Sequence, residues 1–215
     1  MFSISTFFES FGPLIWAARY TVLVSGLGIA LGLVLGGVIC ICALSKSRFL
    51  RGFAALWVSY FRGVPMLVQL LVVYFLLPVI GIDVPAIVAA VGTTAIVASA
   101  YISEIWRGAI NALPKGQTEA AVAIGMSPGS IWRRVVLPQA VSLSLPALIN
   151  ELILLVKASS LVSVVGIMEI TRASQAQAAT TFRPLEVYIA AACIYLVINL
   201  CLAAVGRYLE HRMAI

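Results

Sequence analysis

A chain of 215 residues that is 62% hydrophobic and only 10% charged, with a mean hydropathy of +1.10, does not have water as its main solvent, because soluble domains carry about a quarter charged residues. A net charge of +6 and a pI near 9.4 would point to nucleic acid in a soluble protein. Here Lys and Arg stand in short segments between apolar runs, with no aromatic-basic recognition motif, so nucleic acid is set aside as a partner and the charges read as topology signals. At about 20 residues per crossing, the length accommodates about five helices in a single all-α, polytopic membrane domain spanning 1–215.

In chain order, the first charge-free apolar run is Tyr20 to Leu44, too long for the core of a cleaved signal peptide and therefore expected to remain as a crossing. Its glycines, Gly26, Gly28, Gly32, Gly36 and Gly37, permit close approach of a neighbouring helix. The next apolar region, Phe53 to Ile80, is interrupted at Arg62-Gly63-Val64-Pro65, where proline removes a donor and should kink or start a helix, so its later part supplies the second crossing. Val84 to Ile102 is the third and ends at Ser103-Glu104-Ile105-Trp106-Arg107, residue types suited to an interface. Val135 to Val156, divided by Pro138 and Pro146, should form a bent fourth crossing with one polar side, and Val187 to Val205 a fifth. Cys40, Cys42, Cys193 and Cys201 lie in apolar stretches without neighbouring ligands and read as small lipid-compatible side chains rather than a metal site, and His211 stands alone in a basic tail.

Lys46, Arg48 and Arg51 follow the first crossing, Arg107, Lys115, Arg133 and Arg134 the third, and Arg207 and Arg212 the fifth. The positive-inside rule makes those segments cytoplasmic, the N-terminus external and the C-terminus cytoplasmic.

Between the third and fourth crossings, Leu113 to Pro138 is too polar to enter the bilayer and reads as two short helices. The first, Gln117 to Ile124, has Ala120, Ala121 and Ile124 on one face and stops at Gly125. Ser127 followed by Pro128 is an N-cap with proline at the first helical position, and Met126 and Ile131 stand where a hydrophobic staple would place them. The product is a compact helix-turn-helix knob whose chemistry is docking, since it holds no nucleophile or metal site.

Glu119-Ala120-Ala121, three residues, Gly125, nine residues and Val135-Val136-Leu137-Pro138 together resemble the EAA loop of bacterial ABC importer permeases, with Val135 where Ile is usual. Phe61-Arg62-Gly63-Val64-Pro65 with Gln69, Ser103 to Gly108, and Pro114-Lys115-Gly116-Gln117 are similar to the polar amino acid branch, of histidine and glutamine type, over nearly the whole chain. The resemblance implies a type I importer (MetI-like) permease fold in the bacterial inner membrane. It also implies docking of Glu119, Ala120, Ala121, Gly125, Met126, Ser127 and Pro138 on a cytoplasmic ATPase dimer, a second permease subunit beside this one, and an external binding protein that delivers an amino acid. No Gly-x-x-x-x-Gly-Lys-Ser/Thr loop is present, so ATP and Mg belong to the partner ATPase and this chain is a non-catalytic subunit.

An ionisable group inside a crossing costs at least about 2.5–3.5 kcal/mol and calls for a reason. Glu151, after Asn150, and Lys157, six residues on, are the main candidates: they either meet the two charges of an amino acid or, respectively, pair internally and snorkel to the outer interface. Gln69, Ser159 and Ser160 could line a polar pathway or bridge helices, and Arg62, Glu104 and Arg107 could form a gate or neutralise one another at the interface. Many relatives of the resembled family carry Lys-Asp-Thr-Ser-Leu where this chain has Lys157-Ala158-Ser159-Ser160-Leu161. The missing acid leaves either Glu151 or a non-identical partner permease to hold the substrate, while Asn150-Glu151 leans toward the histidine, basic amino acid and opine group. The alternative reading is an ion-coupled secondary transporter of a small polar solute, disfavoured by the short chain and the lack of an evident inverted repeat. An enzyme is disfavoured by the absence of paired carboxylates, a His-metal cluster or a Ser-His constellation at one membrane depth.

Overall fold

The computed structural model describes residues 2–213, and every described element is helical. The order is α1 (Ile4–Leu44), α2 (Arg48–Gly63), α3 (Met66–Val79), α4 (Ala86–Ala112), α5 (Lys115–Ala123) and α6 (Pro128–Ile131), then a π turn (Trp132–Val136), α7 (Leu137–Ala158), a 3-10 segment (Ser159–Val165), α8 (Ile170–Thr181) and α9 (Pro184–Met213). Four helices among the described residues are long and apolar enough to cross a membrane, and the bent α2–α3 pair makes a fifth.

Several expected boundaries move. The first crossing begins not at Tyr20 but at Ile4, where Ser3 Oγ accepts the Thr6 N–H at 3.3 Å. Arg19 does not end it, because its guanidinium lies 3.3 Å from the Trp16 ring centroid and 4.7 Å from that of Tyr20, which shelters the charge on aromatic faces. The second crossing is not α3 alone: 14 residues reach only about 21 Å, short of a bilayer core of about 30 Å. Instead α2 and α3 meet at 101° across Val64-Pro65. The break is held by Gln69, whose Nε2 donates to the carbonyls of Phe61 at 3.1 Å and Val64 at 2.8 Å, satisfying α2's orphaned C-terminal acceptors. The third crossing runs on past Arg107 to Ala112, and α9 extends the fifth to Pro184–Met213.

The closest helix pair is α1 with α4, which run parallel. A Cβ built on Gly28, Gly32 or Gly36 would stand 2.6 Å from Thr94, 2.5 Å from Ala98 and 2.9 Å from Ile102, so only glycine permits this contact. Helices α7 and α9 run antiparallel, with Gly206 against Ile149 and Ser142 Oγ donating to the Met213 carbonyl at 2.6 Å. At the opposite end of the bundle, Ser3 N–H donates to Glu186, which also pairs with Arg183 at 3.2 Å. The end of α1, the end of α4, residues 113–127 and the end of α9 thus share one end of the molecule.

Candidate functional site

Helix α5 closes in a Schellman motif: Gly125 N–H bonds the Val122 carbonyl at 2.9 Å and Met126 N–H the Ala121 carbonyl at 3.1 Å, with Gly125 at φ +80°. This turn is the reason for glycine at that place in the sequence. Ala121 is buried and anchors the knob, Met126 is half-buried, and Glu119, Ala120, Gly125, Ser127 and Pro138 are exposed. Val122 and Ile124 add apolar surface, 60% and 77% exposed. A cleft of about 730 Å³ lies behind α5, bounded by Ile110, Leu113, Val122, Met126, Ile131 and Trp132.

The second half of the knob differs from expectation. Ser127 takes the N-cap position, but its Oγ bonds Ser130 Oγ at 3.1 Å rather than a backbone N–H. The helix it opens is a single turn that runs through the π turn directly into α7. The cause is Pro138, the second residue of α7, which offers no N–H to the carbonyl four residues back and crowds it, so the backbone widens there. Residues 128–165 therefore form one continuous helical rod that carries the knob at one end.

The candidate pathway residues do not converge on one site. Gln69, 4% exposed, is turned inward to the α2–α3 break, and its Oε1 has no hydrogen-bond partner among the described residues. Ser159 is buried and donates to the Val156 carbonyl at 2.7 Å, and Ser160 donates to the Lys157 carbonyl at 2.8 Å. Asn150 and Lys157 are exposed. At 100° per residue Lys157 lies about 120° around α7 from Glu151, whereas Ala158, seven residues on, shares the Glu151 face.

What the fold does assemble is a charged cluster across α2 and α4. Arg107 grips Glu104 with two bonds, Nε to Oε1 at 2.8 Å and Nη2 to Oε2 at 2.6 Å. Arg62, in the last turn of α2, holds its guanidinium carbon 5.1 Å from the Tyr101 ring centroid. Glu151, half-buried on α7, makes no hydrogen bond or ion pair among the described residues.

A second polar group escaped the sequence reading. Glu169, fully buried, caps α8 by accepting the N–H groups of Thr171 at 2.9 Å and Arg172 at 2.7 Å, and the Tyr195 hydroxyl at 2.9 Å. Thr171 Oγ1 lies 3.1 Å from the same hydroxyl, and Ile170 N–H donates to Thr21 Oγ1 at 3.4 Å, so α1, α8 and α9 are tied together. Burial pushes the Glu169 carboxyl above the usual carboxylate range, while these hydrogen bonds pull it back. Its hydroxyl partner Tyr195 lies 26 residues away in sequence, and the neighbouring Ile170 bonds Thr21 across 149; the only local signal is an acidic residue just before a helix start.

Residues 28–215 match the family model described as binding-protein-dependent transport system inner membrane component. The chain is 38% identical over 216 residues to the glutamine transport system permease protein GlnP of Escherichia coli K12, covering 100% of this chain and 99% of that one. It is 40% identical over 184 residues to the arginine transport system permease protein ArtQ of Bacillus subtilis 168, covering 85% and 84%. Among solved structures, a chain of an amino acid ABC transporter with histidines superposes with a TM-score of 0.92 at 34% identity over 99% of both chains. An inward-facing MetNI methionine ABC transporter, at 0.74 and 19% identity over 99% of both, shares the fold. The chain therefore belongs to the family of binding-protein-dependent inner membrane transport components, the multi-pass permease subunits of ABC importers, and the relatives it matches here are amino acid permeases.

Proposed function

We propose that this chain forms one half of the translocation pathway of an ATP-driven amino acid importer and receives its driving force through the knob at 113–138. The observation that carries this reading is the continuity of residues 128–165: the second half of the knob and Glu151 sit on the same helical rod, so displacement of one is transmitted to the other. Glu119, Ala120, Ala121, Gly125, Met126, Ser127 and Pro138 constitute the docking surface for a cytoplasmic ATPase dimer that holds ATP and Mg. An external binding protein delivers the substrate, and a second, non-identical permease completes the pathway. The basic ends of α1, α4 and α9, which share one end of the bundle, face the cytoplasm, and the N-terminus is external.

Glu151 contacts the substrate. Its carboxyl group, with Asn150 beside it, favours a basic amino acid or an opine. The relatives named for glutamine and for arginine transport bracket this choice. Co-purification through a tag on this subunit, from cells expressing its neighbouring genes, tests the assembly. An ATPase and a different permease at stoichiometric levels are expected, and an intact complex lacking an ATPase refutes the coupling reading. In the same complex, Glu119→Lys with Ala120→Arg is expected to abolish ATPase association while leaving the permease pair intact.

A further inference from the structure

A crevice of about 340 Å³ opens between the end of α1, α2 and α4, at the end of the bundle that carries the knob. Ala43 lies one residue before the end of α1, and Arg107 five residues, about 7.5 Å, before the end of α4, so the crevice sits at headgroup depth. The small side chains of Ala54 and Ala55 leave it room, and Arg51, Ser59, Glu104 and Arg107 give it polar atoms. Those atoms do not balance. Arg107 takes both oxygens of Glu104, at 2.8 and 2.6 Å, which neutralises that pair and leaves the Arg107 Nη1 edge unused. Arg51, exposed near the start of α2, has only a long bond from Nη1 to the Ser45 carbonyl at 3.4 Å, and Ser59 Oγ has none among the described residues. Between Glu9 and Asp83 the chain contains no Asp or Glu, so neither α2 nor the segments flanking it offer Arg51 a carboxylate.

We propose that this crevice seats the phosphate of an anionic phospholipid, held by Arg51, Ser59 and the edge of Arg107 that Glu104 leaves free. An uncompensated guanidinium, a hydroxyl and spare N–H groups are donors in excess, and a phosphate oxyanion accepts from all of them. A phospholipid already has its phosphate at this depth, and basic pockets between membrane helices near the bilayer surface take anionic headgroups. Ile41 and Leu56, near the crevice in sequence, are 72% and 71% exposed and offer apolar surface to the acyl chains. A headgroup held there bridges α1, α2 and α4 beside the knob. Lys46 and Arg48, exposed and without polar side-chain partners among the described residues, attract the leaflet diffusely but do not line the crevice. The site is independent of Glu151 and of the identity of the transported solute.

The test uses the complex purified through a tag on this subunit and placed in phosphatidylcholine nanodiscs. Spin-labelled phosphatidylglycerol and spin-labelled phosphatidylcholine are compared by the fraction of label that the protein restricts, at about 0.3 M salt so that diffuse surface attraction is screened. Wild type is expected to prefer phosphatidylglycerol about fivefold, the contribution of one uncompensated basic side chain beside a phosphate. Arg51→Gln removes that charge from an exposed position, and Ala55→Leu fills the crevice with every charge retained; each should bring the preference below about twofold. Lys46→Gln removes an equal charge outside the crevice and should keep a preference of at least about threefold. The two crevice variants act by different means, so the proposal stays testable should either fail to assemble. No preference in wild type, an equal loss in Lys46→Gln and Arg51→Gln, or full preference in Ala55→Leu would overturn it. Displacement of the labelled phosphatidylglycerol by millimolar inorganic phosphate would also overturn it, marking a site for soluble phosphate rather than lipid.

Discussion

Replacing Gly32 by alanine tests the packing that joins α1 to α4. The added methyl would stand 2.5 Å from Ala98 Cβ and 3.1 Å from the Ala95 carbonyl, the second being backbone that no rotamer change can move. Relief requires the helices to separate, and in a membrane no hydrophobic gain compensates for the lost contact along the seam. Overpacking of this kind costs about 1–3 kcal/mol. For a chain of this length that is a fall in melting temperature of about 4–8 °C at the middle of the range, read by thermal unfolding of the detergent-purified permease. Gly26→Ala supplies the control: the same helix, the same chemical change and nothing within 4 Å of the new Cβ. It should be neutral or slightly stabilising, because alanine is the better helix former. Adding Ala98→Gly to Gly32→Ala removes the 2.5 Å contact and should recover part of the loss, with the Ala95 carbonyl accounting for the rest. Equal shifts for Gly26→Ala and Gly32→Ala, or no recovery in the double variant, would refute the argument that the glycine seam sets the helix separation.

Gly125→Ala forces a side chain into the left-handed region at φ +80°, a cost of about 1–2 kcal/mol concentrated in the knob. Transport driven by the assembled complex should fall while Gly129→Ala, in open space nearby, transports normally. Glu169→Gln turns one acceptor toward donors and should destabilise the protein by about 1–3 kcal/mol, measured by thermal unfolding. Because burial raises the folded-state pKa of Glu169, the native state holds its proton at pH values where the unfolded chain has released it. Wild-type stability should therefore fall as pH rises through the window just above the ordinary carboxylate range, and that slope should be missing in Glu169→Gln.

The crossings and their punctuation were legible because each has a local cause. A charge-free run such as Tyr20 to Leu44 excludes water, Val64-Pro65 prevents helix continuation, and Gly125 marks a turn that only positive φ can make. What was missed depended on contacts between distant residues or on charges hidden by neighbours. Arg19 looked like an end to a crossing because its stacking on Trp16 is invisible in a hydropathy profile, and the Glu104–Arg107 pair let α4 continue through a segment that reads as interface. Gln69 has the composition of a pathway residue and the geometry of a helix cap. The meeting of Arg62 with Tyr101 required α2 and α4 to be in place, and the Glu169 network required α1, α8 and α9.

The rod from Pro128 to Val165 has a mechanical consequence. From Gly129 to Glu151 it spans about 33 Å at 1.5 Å per residue, so a tilt of about 10° at the knob sweeps Glu151 sideways by about 6 Å, comparable to the length of an amino acid side chain. A lever of that length converts a small angular change at the membrane surface into the opening or burial of a single carboxylate. Its helical ladder changes at the π turn Trp132–Val136, where the backbone is widened beside Pro138. Substitutions that stiffen or loosen that turn should therefore alter how far motion at one end is felt at the other, without touching either end.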